Sequence, residues 1–348
     1  MMPEEWPIAA PAADGNGPAR PAGRGRLATV RRDFFLDPAD RLTEQERALM
    51  TAMLHCLVSD VADAVRAELP SGRIAANDEG DAALVRALTA SGLLDEPGLM
   101  ALLLRRADEE RIATAARARS GRREARVLQG LVSHDYGAVA AAAMALILAR
   151  GRRRDRFGQC LVAFDDLPEA SAEQLVHAVA AGLRRDLAAA RGASASDLEL
   201  AEASDSVLQN HDAERSVESL TAALVVFLDE GGGLSDELVL AAAQEGEVGF
   251  IAEVLARRAG VPIDSALDEL LSGDSRRLMG LLRVAGASRE LSAGLLGGIG
   301  DLLGIADAGE AIALFDRMSA DDVAAARSWL VTAPEYRSAL ERLGERRG

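Results

Sequence analysis

The sequence predicts an all-α fold made of many short helices, and three observations lead to it. The chain of 348 residues is 49% hydrophobic but only 3% aromatic, and its commonest apolar residues, Ala and Leu, are strong helix formers. Apolar residues recur at spacings of three and four, as at Leu291, Leu295 and Ile299, which places them on one face of a helix. The sequence has no run of alternating β-branched and aromatic residues of the kind that predicts a strand.

The stretch 232–299 predicts how the helices are arranged. Short apolar-striped segments alternate there with breaks at Gly246, 260–262, 273–274 and 286–288. Gly provides a left-handed stop after a helix, and Asp, Ser or Pro opens the next one. Helices this short are not stable alone in water, so each must bury its stripe against its neighbours. The pattern therefore predicts an α-solenoid of short antiparallel helix pairs, the HEAT-like arrangement.

Composition divides the chain into a tail and two helical halves. Residues 1–32 are rich in Pro, Gly, Ala and Arg and cannot bury enough apolar surface to offset the entropy of ordering, so we expect a disordered basic tail. The N-terminal half then runs over 33–192 and the C-terminal half over 193–348, with a loop at 191–195. The helices predicted most directly span about 43–69, 79–91, 95–106, 108–118, 138–149, 220–228, 319–331 and 334–344, with two more opened by capping boxes at Ser171 and Ser196.

An internal similarity supports the repeat prediction. The segment that begins at Leu93 can be laid over the one that begins at Leu234. In both, a Leu-x-Asp-Glu start precedes an apolar helix, a polar break and a second helix that ends in Arg. A repeat built from helix pairs predicts such a correspondence.

Charge and cysteine content restrict the class of function. The formal net charge of -16 disfavours non-specific nucleic-acid binding by the whole body. Cys56 and Cys160 are far apart and neither belongs to a CxxC pair, so neither a disulfide framework nor a zinc site is predicted. The longest apolar run, 138–149, is shorter than the roughly 20 residues that span a bilayer. The first residues also lack the basic and apolar regions of a signal peptide, and we expect a cytoplasmic protein that makes no membrane contact.

Two blocks of residues resemble a known family. The first is 34–47, FFLDPADRLTEQER; the second combines 281–286, 315–316, 329–330 and 334–337. They resemble an uncharacterised HEAT-like α-helical family of alphaproteobacteria, a domain of unknown function (2336), over about 33–345. The resemblance implies an all-helical repeat protein that could act as a scaffold. The family has no agreed activity or catalytic residues, so no site residue follows from it.

The sequence predicts neither a catalytic site nor a cofactor or metal. The glycine string 298–304 resembles a dinucleotide-binding loop, but that motif needs a preceding strand, and the residues before it have a helical pattern. Cys160 and His177 could form a nucleophile–base pair only if the fold brought them together. The acidic pairs 165–166 and 229–230 are typical of solvated helix caps, although such groups can also bind a cation or protonate a substrate.

The functional prediction rests on clustered arginines. One cluster lies in 117–126, and a second follows the apolar helix 138–149. The second could bind an acidic protein partner or phosphates, and the scarcity of aromatic residues argues against single-strand recognition. We therefore predict a scaffold or adaptor that binds a partner protein, with a nucleic-acid-associated regulator as the alternative. Partner identity and oligomeric state stay open. The predicted partner-binding patch is Arg150, Arg152, Arg153, Arg154 and Arg156.

Overall fold

The fold is known from a computed structural model that describes residues 42–69, 78–121, 126–191, 193–333, 336–337, 339–340 and 343. The described residues form helices and turns without a β-strand, apart from an isolated bridge between Arg154 and Cys160. The all-α prediction is confirmed. The predicted tail 1–32 and most of the predicted helix 334–344 lie outside the described residues.

By compactness the chain divides into two units, Met1–Gln45 and Glu46–Gly348. The helices, clusters and cleft described below belong to the second unit, except that the first helix begins at Glu44. The described α-helices, in chain order, are α1 (Glu44–Glu68), α2 (Asp78–Ser91), α3 (Pro97–Ser120), α4 (Val127–Leu131), α5 (Gly137–Arg152), α6 (Glu169–Arg191), α7 (Ala193–Gln209), α8 (Val217–Glu230), α9 (Asp236–Glu245), α10 (Val248–Ala259), α11 (Ile263–Leu270), α12 (Ser275–Val284), α13 (Arg289–Leu295), α14 (Ala308–Arg317) and α15 (Ala320–Leu330).

The predicted helix stops and starts are largely confirmed. Gly246 and Gly260 end α9 and α10 with φ of 72° and 67°, the left-handed conformation that favours glycine. The side chains of Asp274 and Ser288 accept hydrogen bonds from the first turns of α12 and α13. Ser319 forms a capping box with Asp322 at the start of α15. Local sequence therefore determines where most of the C-terminal helices begin and end.

The segment 97–120 departs from the prediction of two helices. It forms the single helix α3, so the polar break predicted near residue 107 does not exist. Charged residues are good helix formers, and the ion pairs Arg106–Glu109 and Asp108–Arg111, both three residues apart, stabilise the middle of α3. The similarity to the segment that begins at Leu234 is also incomplete, because Gly246 does interrupt that segment.

Two predicted capping boxes are wrong because both helices begin before the serines that were expected to cap them. Helix α6 begins at Glu169 and α7 at Ala193, so Ser171 and Ser196 lie inside the first turns. Both serines are buried, and Ser171 hydrogen-bonds to the Glu96 carboxylate that caps α3. Of the predicted loop 191–195, residues 191 and 193–195 belong to α6 and α7, and residue 192 lies outside the described residues.

Helix α1 is the one described helix whose length and composition would allow it to cross a membrane, with a mean hydropathy of 1.4 over its best window. The core helix of a soluble protein has the same length and composition. Seven α1 residues are buried, among them Met53, Leu57 and Val61.

The apolar side chains bury in two clusters that share α3. The first cluster combines α1, α2, the N-terminal part of α3, α6 and α7. The second combines the C-terminal part of α3 with α4, α5 and α8 to α15. Because α6 and α7 pack together in the first cluster, the predicted boundary at 192/193 falls between two helices of one cluster. The division into halves stays a prediction.

The corner between α9 and α10 lies directly against α3. At Gly246 an added Cβ would stand 2.6 Å from the Cα atom of Ala113 and 2.9 Å from the carbonyl oxygen of Ile112. Only glycine permits this approach, because the opposing atoms belong to the backbone. The contact positions α3, α9 and α10 around one cleft.

Candidate cleft

A cleft of about 630 Å³ opens where α3 passes from the first cluster to the second. Its walls come from α3, the end of α5 and the loop after it, the start of α8, the α9–α10 corner and α11. The volume lies in the usual range for ligand pockets. Its apolar lining includes Leu128, Ile147, Leu161, Val248, Ile263 and Leu267.

The charged lining contains more arginine than acid, although the whole chain is strongly acidic. Six arginines face five glutamates around the cleft. The arginines are Arg105, Arg106, Arg117, Arg150, Arg153 and Arg154, and the glutamates are Glu109, Glu110, Glu218, Glu247 and Glu253.

Arg106 is a buried charge held by three carboxylates. Its guanidinium donates to Glu109 and Glu218 at 2.7 Å each, and it lies 3.9 Å from Asp166. Burial alone would lower the pKa of Arg106, but these carboxylates raise it above its ordinary value. Arg106 therefore stays charged and joins α3 to α8.

Asp166 is the most enclosed acid of this network. Its side chain is fully buried and accepts from the Nε and Nη2 atoms of Arg153 at 2.7 and 2.8 Å. It also accepts from the backbone N–H groups of Ala163 and Val217. Burial raises the pKa of Asp166, but these hydrogen bonds and the charge of Arg106 outweigh it and lower the pKa below 3.8. The prediction that residues 165–166 are a solvated cap is wrong for Asp166, because it forms a buried ion pair.

The structure separates the five arginines of the predicted patch into two groups. Arg150, Arg153 and Arg154 line the cleft and are ion-paired with Glu247, Asp166 and Glu110. Arg152 and Arg156 are exposed and line no part of the cleft. Arg156 instead lies over the ring of Phe157, which is 80% exposed, at 4.7 Å from the centroid. Whether any of the five binds a partner stays a prediction.

Two further arginines of the cleft have no hydrogen bond from their guanidinium groups to any described residue. Arg105 has its nearest acid oxygens at 3.7 Å on Glu218 and 3.8 Å on Asp264. Arg117 has its nearest at 3.8 Å on Glu110. Both side chains are about one-fifth exposed, at 21% and 20%. Their donors are therefore available to a ligand or to water.

Two carboxylates of the cleft are also incompletely paired. The Oε1 atom of Glu218 is buried and accepts no hydrogen bond from the described residues. No described residue donates to Glu253, and burial raises its pKa above 4.5 although Arg257 opposes the rise. These carboxylates thus lie in the same cleft as the two arginines, and the Oε1 atom of Glu218 is 3.7 Å from Arg105.

Cys160 lines the cleft but lacks the environment of a nucleophile. Burial, with the charge of Glu110, raises its pKa to about 11 in spite of Arg106 and Arg154, so the thiol is protonated at neutral pH. His177 lies elsewhere, exposed on α6 beside Glu173. The structure does not pair Cys160 with His177. Within the described residues no group of three His, Cys, Asp or Glu side chains could hold a metal ion.

The other candidate motifs have structural roles. The glycine string 298–304 follows the helix α13 and begins in the π-helical turn Leu296–Gly300, so the strand that a dinucleotide loop requires is not there. The added Cβ of Gly294 would stand 2.5 Å from Leu240, which places α13 close to α9. Asp229 is ion-paired with Arg257.

The sequence did not single out Arg105 and Arg106. They belong to the mixed-charge stretch 105–111, RRADEER, a pattern that solvated helix surfaces share. The apolar residues in and around this stretch could have indicated that it is partly buried, because Leu102, Leu103 and Ala107 lie in the first cluster and Ile112 in the second.

The profile of a family described as an uncharacterised protein conserved in bacteria (DUF2336) matches residues 86–327, a range that includes the whole lining of the cleft. No curated protein and no solved structure matches the chain. Because the profile covers more than half of the sequence, the chain belongs to this uncharacterised bacterial family.

Proposed function

We propose that the protein is a helical-repeat scaffold that binds a segment of a partner protein in the cleft. The observation that carries the proposal is the cleft itself. It combines an apolar lining with charged walls that are fixed on helices. Such a surface provides apolar burial for affinity and a few fixed polar groups for orientation.

The finer prediction of HEAT-like repeats is part of this proposal. In the C-terminal region α8 packs against α10, α10 against α12, and α12 against α14. A stack of helix pairs produces contacts of this kind between alternate helices. The longer-range contacts of α3 with α9 and α10 add a wall to the cleft that a simple stack would lack.

The chemistry of the cleft supports binding over catalysis. Four of its six arginines donate to carboxylates, and its thiol is protonated at neutral pH. A general base or nucleophile needs a pKa near the working pH and a partner that activates it. Neither Cys160 nor Glu253 has such a partner among the described residues.

Site-specific photocrosslinking in the native cell would test the proposal. Gln129 lines the cleft and is exposed, so it can be replaced by a photoreactive phenylalanine analogue. Leu198 is exposed on α7 away from the cleft and provides the control position. We expect a defined protein adduct from position 129 and none from position 198. Adducts that are absent at 129, or identical at both positions, would refute the proposal.

A nucleic-acid-associated regulator remains the second candidate, and one observation favours it. Arg152 and Arg156 are exposed without a carboxylate partner among the described residues, next to the exposed ring of Phe157. An aromatic ring beside free arginines can stack on a base and contact phosphate. The test is salt-dependent binding of a labelled single strand that disappears in the double variant Arg152→Ala/Arg156→Ala. Binding that survives this change would rule out the role of these residues.

A further inference from the structure

We propose that the cleft binds an extended acidic peptide segment, with one carboxylate on Arg105 and another on Arg117. This inference rests on the proposed function and specifies the chemistry of its partner. The four other arginines of the cleft donate hydrogen bonds to carboxylates. These two guanidinium groups lie 3.7 to 3.8 Å from their nearest acid oxygens and make no hydrogen bond to a described residue. Carboxylates are the natural acceptors for such planar donors.

The spacing of the two arginines defines the spacing of the acids. Twelve residues separate Arg105 from Arg117 on the continuous helix α3, which corresponds to about 18 Å along the helix axis. An extended chain advances about 3.3 Å per residue and places alternate side chains on one face, so acids six residues apart lie about 20 Å apart on the same face. The reach of the arginine side chains covers the difference.

The hydrogen-bonding groups of the cleft favour an extended segment over a helix. An extended segment has unpaired backbone N–H groups. The buried Oε1 atom of Glu218 and the carboxylate of Glu253 are free to accept them. A helix offers no such donors along its length, because its N–H groups are already bonded.

The rest of the lining determines what lies between the two acids. Ile147, Val248 and Ile263 contribute apolar surface to the cleft, so the intervening residues should be apolar. Nucleic acid fits this lining less well, because duplex DNA carries one charge per about 1.7 Å. Its phosphates would meet the five glutamates as well as the arginines.

The inference can be tested by fluorescence anisotropy with labelled peptides. The probe is a heptapeptide with Glu at its first and seventh positions and apolar residues between them, flanked by Gly and Ser. One control peptide has Lys at both ends, and another has its Glu residues at the third and fifth positions. We expect the probe to bind at least about tenfold more tightly than either control, since hydrogen bonds to charged groups contribute that much.

Protein variants link the binding to the two arginines. Arg105→Gln/Arg117→Gln should weaken binding of the probe about tenfold or more, whereas Arg105→Lys/Arg117→Lys should keep part of the affinity because the charges remain. Arg276→Gln is the matched control, since Arg276 is exposed on α12 and is not part of the cleft. It should leave binding unchanged. Circular dichroism of each variant reports whether it is folded.

Several outcomes would overturn the inference. They are equal binding of the Glu and Lys peptides, no saturable binding of the probe, and full affinity in the folded Arg105→Gln/Arg117→Gln variant. A DNA duplex that displaces the probe and binds more tightly in an arginine-dependent way would replace the peptide with nucleic acid. If an adduct forms at position 129 but the acidic probe is not preferred, the scaffold proposal survives and only the acidic partner is refuted.

Discussion

Replacing Gly246 by Ala tests whether the close approach of the α9–α10 corner to α3 holds the cleft together. Gly246 has a φ of 72°, and an added Cβ would stand 2.6 Å from the Ala113 Cα atom and 2.9 Å from its nitrogen. Backbone atoms of α3 cannot move aside as a flexible side chain can. The substitution must therefore either push the two elements apart or distort the turn.

Gly260 provides a matched control for the magnitude. It ends α10 in the same left-handed conformation, with φ of 67°, and nothing lies within 4 Å of its added Cβ. Gly260→Ala should cost only the left-handed strain, about 1–2 kcal/mol. Gly246→Ala adds an overlap of about 1–3 kcal/mol, for a total of about 2–5 kcal/mol. The excess of the first variant over the second measures the close approach alone.

Urea unfolding followed by far-ultraviolet circular dichroism would measure both losses. The comparison requires the same slope of unfolding free energy against urea in the wild type and both variants, since a changed slope indicates altered compactness. Losses that agree within roughly 0.5 kcal/mol, the usual error of additivity, would refute the argument that α3 and the corner touch at this point. Gly246→Ala should also weaken binding in the cleft, because Ala113 and Gly246 both line it.

Three further predictions concern titratable groups of the cleft. Asp166→Asn should lower the free energy of unfolding at pH 7 by about 3–5 kcal/mol in urea titrations, because it leaves buried arginine charge uncompensated. The pKa of Asp166 is lowered in the folded state, so the stability advantage of the wild type is complete above pH 3.8 and decreases as the pH falls further. A loss below about 1 kcal/mol would contradict the buried network. Glu253→Gln should stabilise the protein at pH 7, because the pKa of Glu253 is raised in the folded state. This gain in stability should shrink as the pH falls through the raised pKa and vanish below pH 4.5. Lower stability of the Gln variant at pH 7 would show that Glu253 is paired. Alkylation of Cys160 by iodoacetamide, followed by mass spectrometry, should accelerate about tenfold per pH unit up to about pH 10, and a plateau below pH 9 would indicate an activated thiol.

The helix boundaries were largely predictable because their signals are local. A glycine such as Gly246 or Gly260 specifies a left-handed turn by its own chemistry, and Ser319 with Asp322 closes a capping box within four residues. Where the prediction failed, at the single helix α3, the error came from taking polarity as a break. The ion pair of Arg106 with Glu109 shows that charged residues can continue a helix.

The cleft could not be predicted in the same way, because its contacts join distant parts of the chain. Arg106 meets Glu218, 112 positions away, and Arg150 meets Glu247, 97 positions away. The basic run around Arg153 predicts an exposed side chain, but in the structure Arg153 is buried and forms an ion pair with Asp166. No periodicity within one segment encodes which acid will neutralise which arginine.

The distribution of free donors therefore says more about binding than the distribution of charge along the sequence. In the densest run of arginines, 150–156, three of the five form ion pairs, with Glu247 at the α9–α10 corner, with Asp166 between α5 and α6, and with Glu110 on α3. Each of those pairs would have to break before the arginine could bind a partner, at the cost of leaving a desolvated acid behind. Arg105 and Arg117 lie 3.7 to 3.8 Å from their nearest acid oxygens and make no hydrogen bond to a described residue. A ligand carboxylate placed on either one gains its hydrogen bonds without breaking any to the described residues, and for this reason these two arginines are the stronger candidates for recognition.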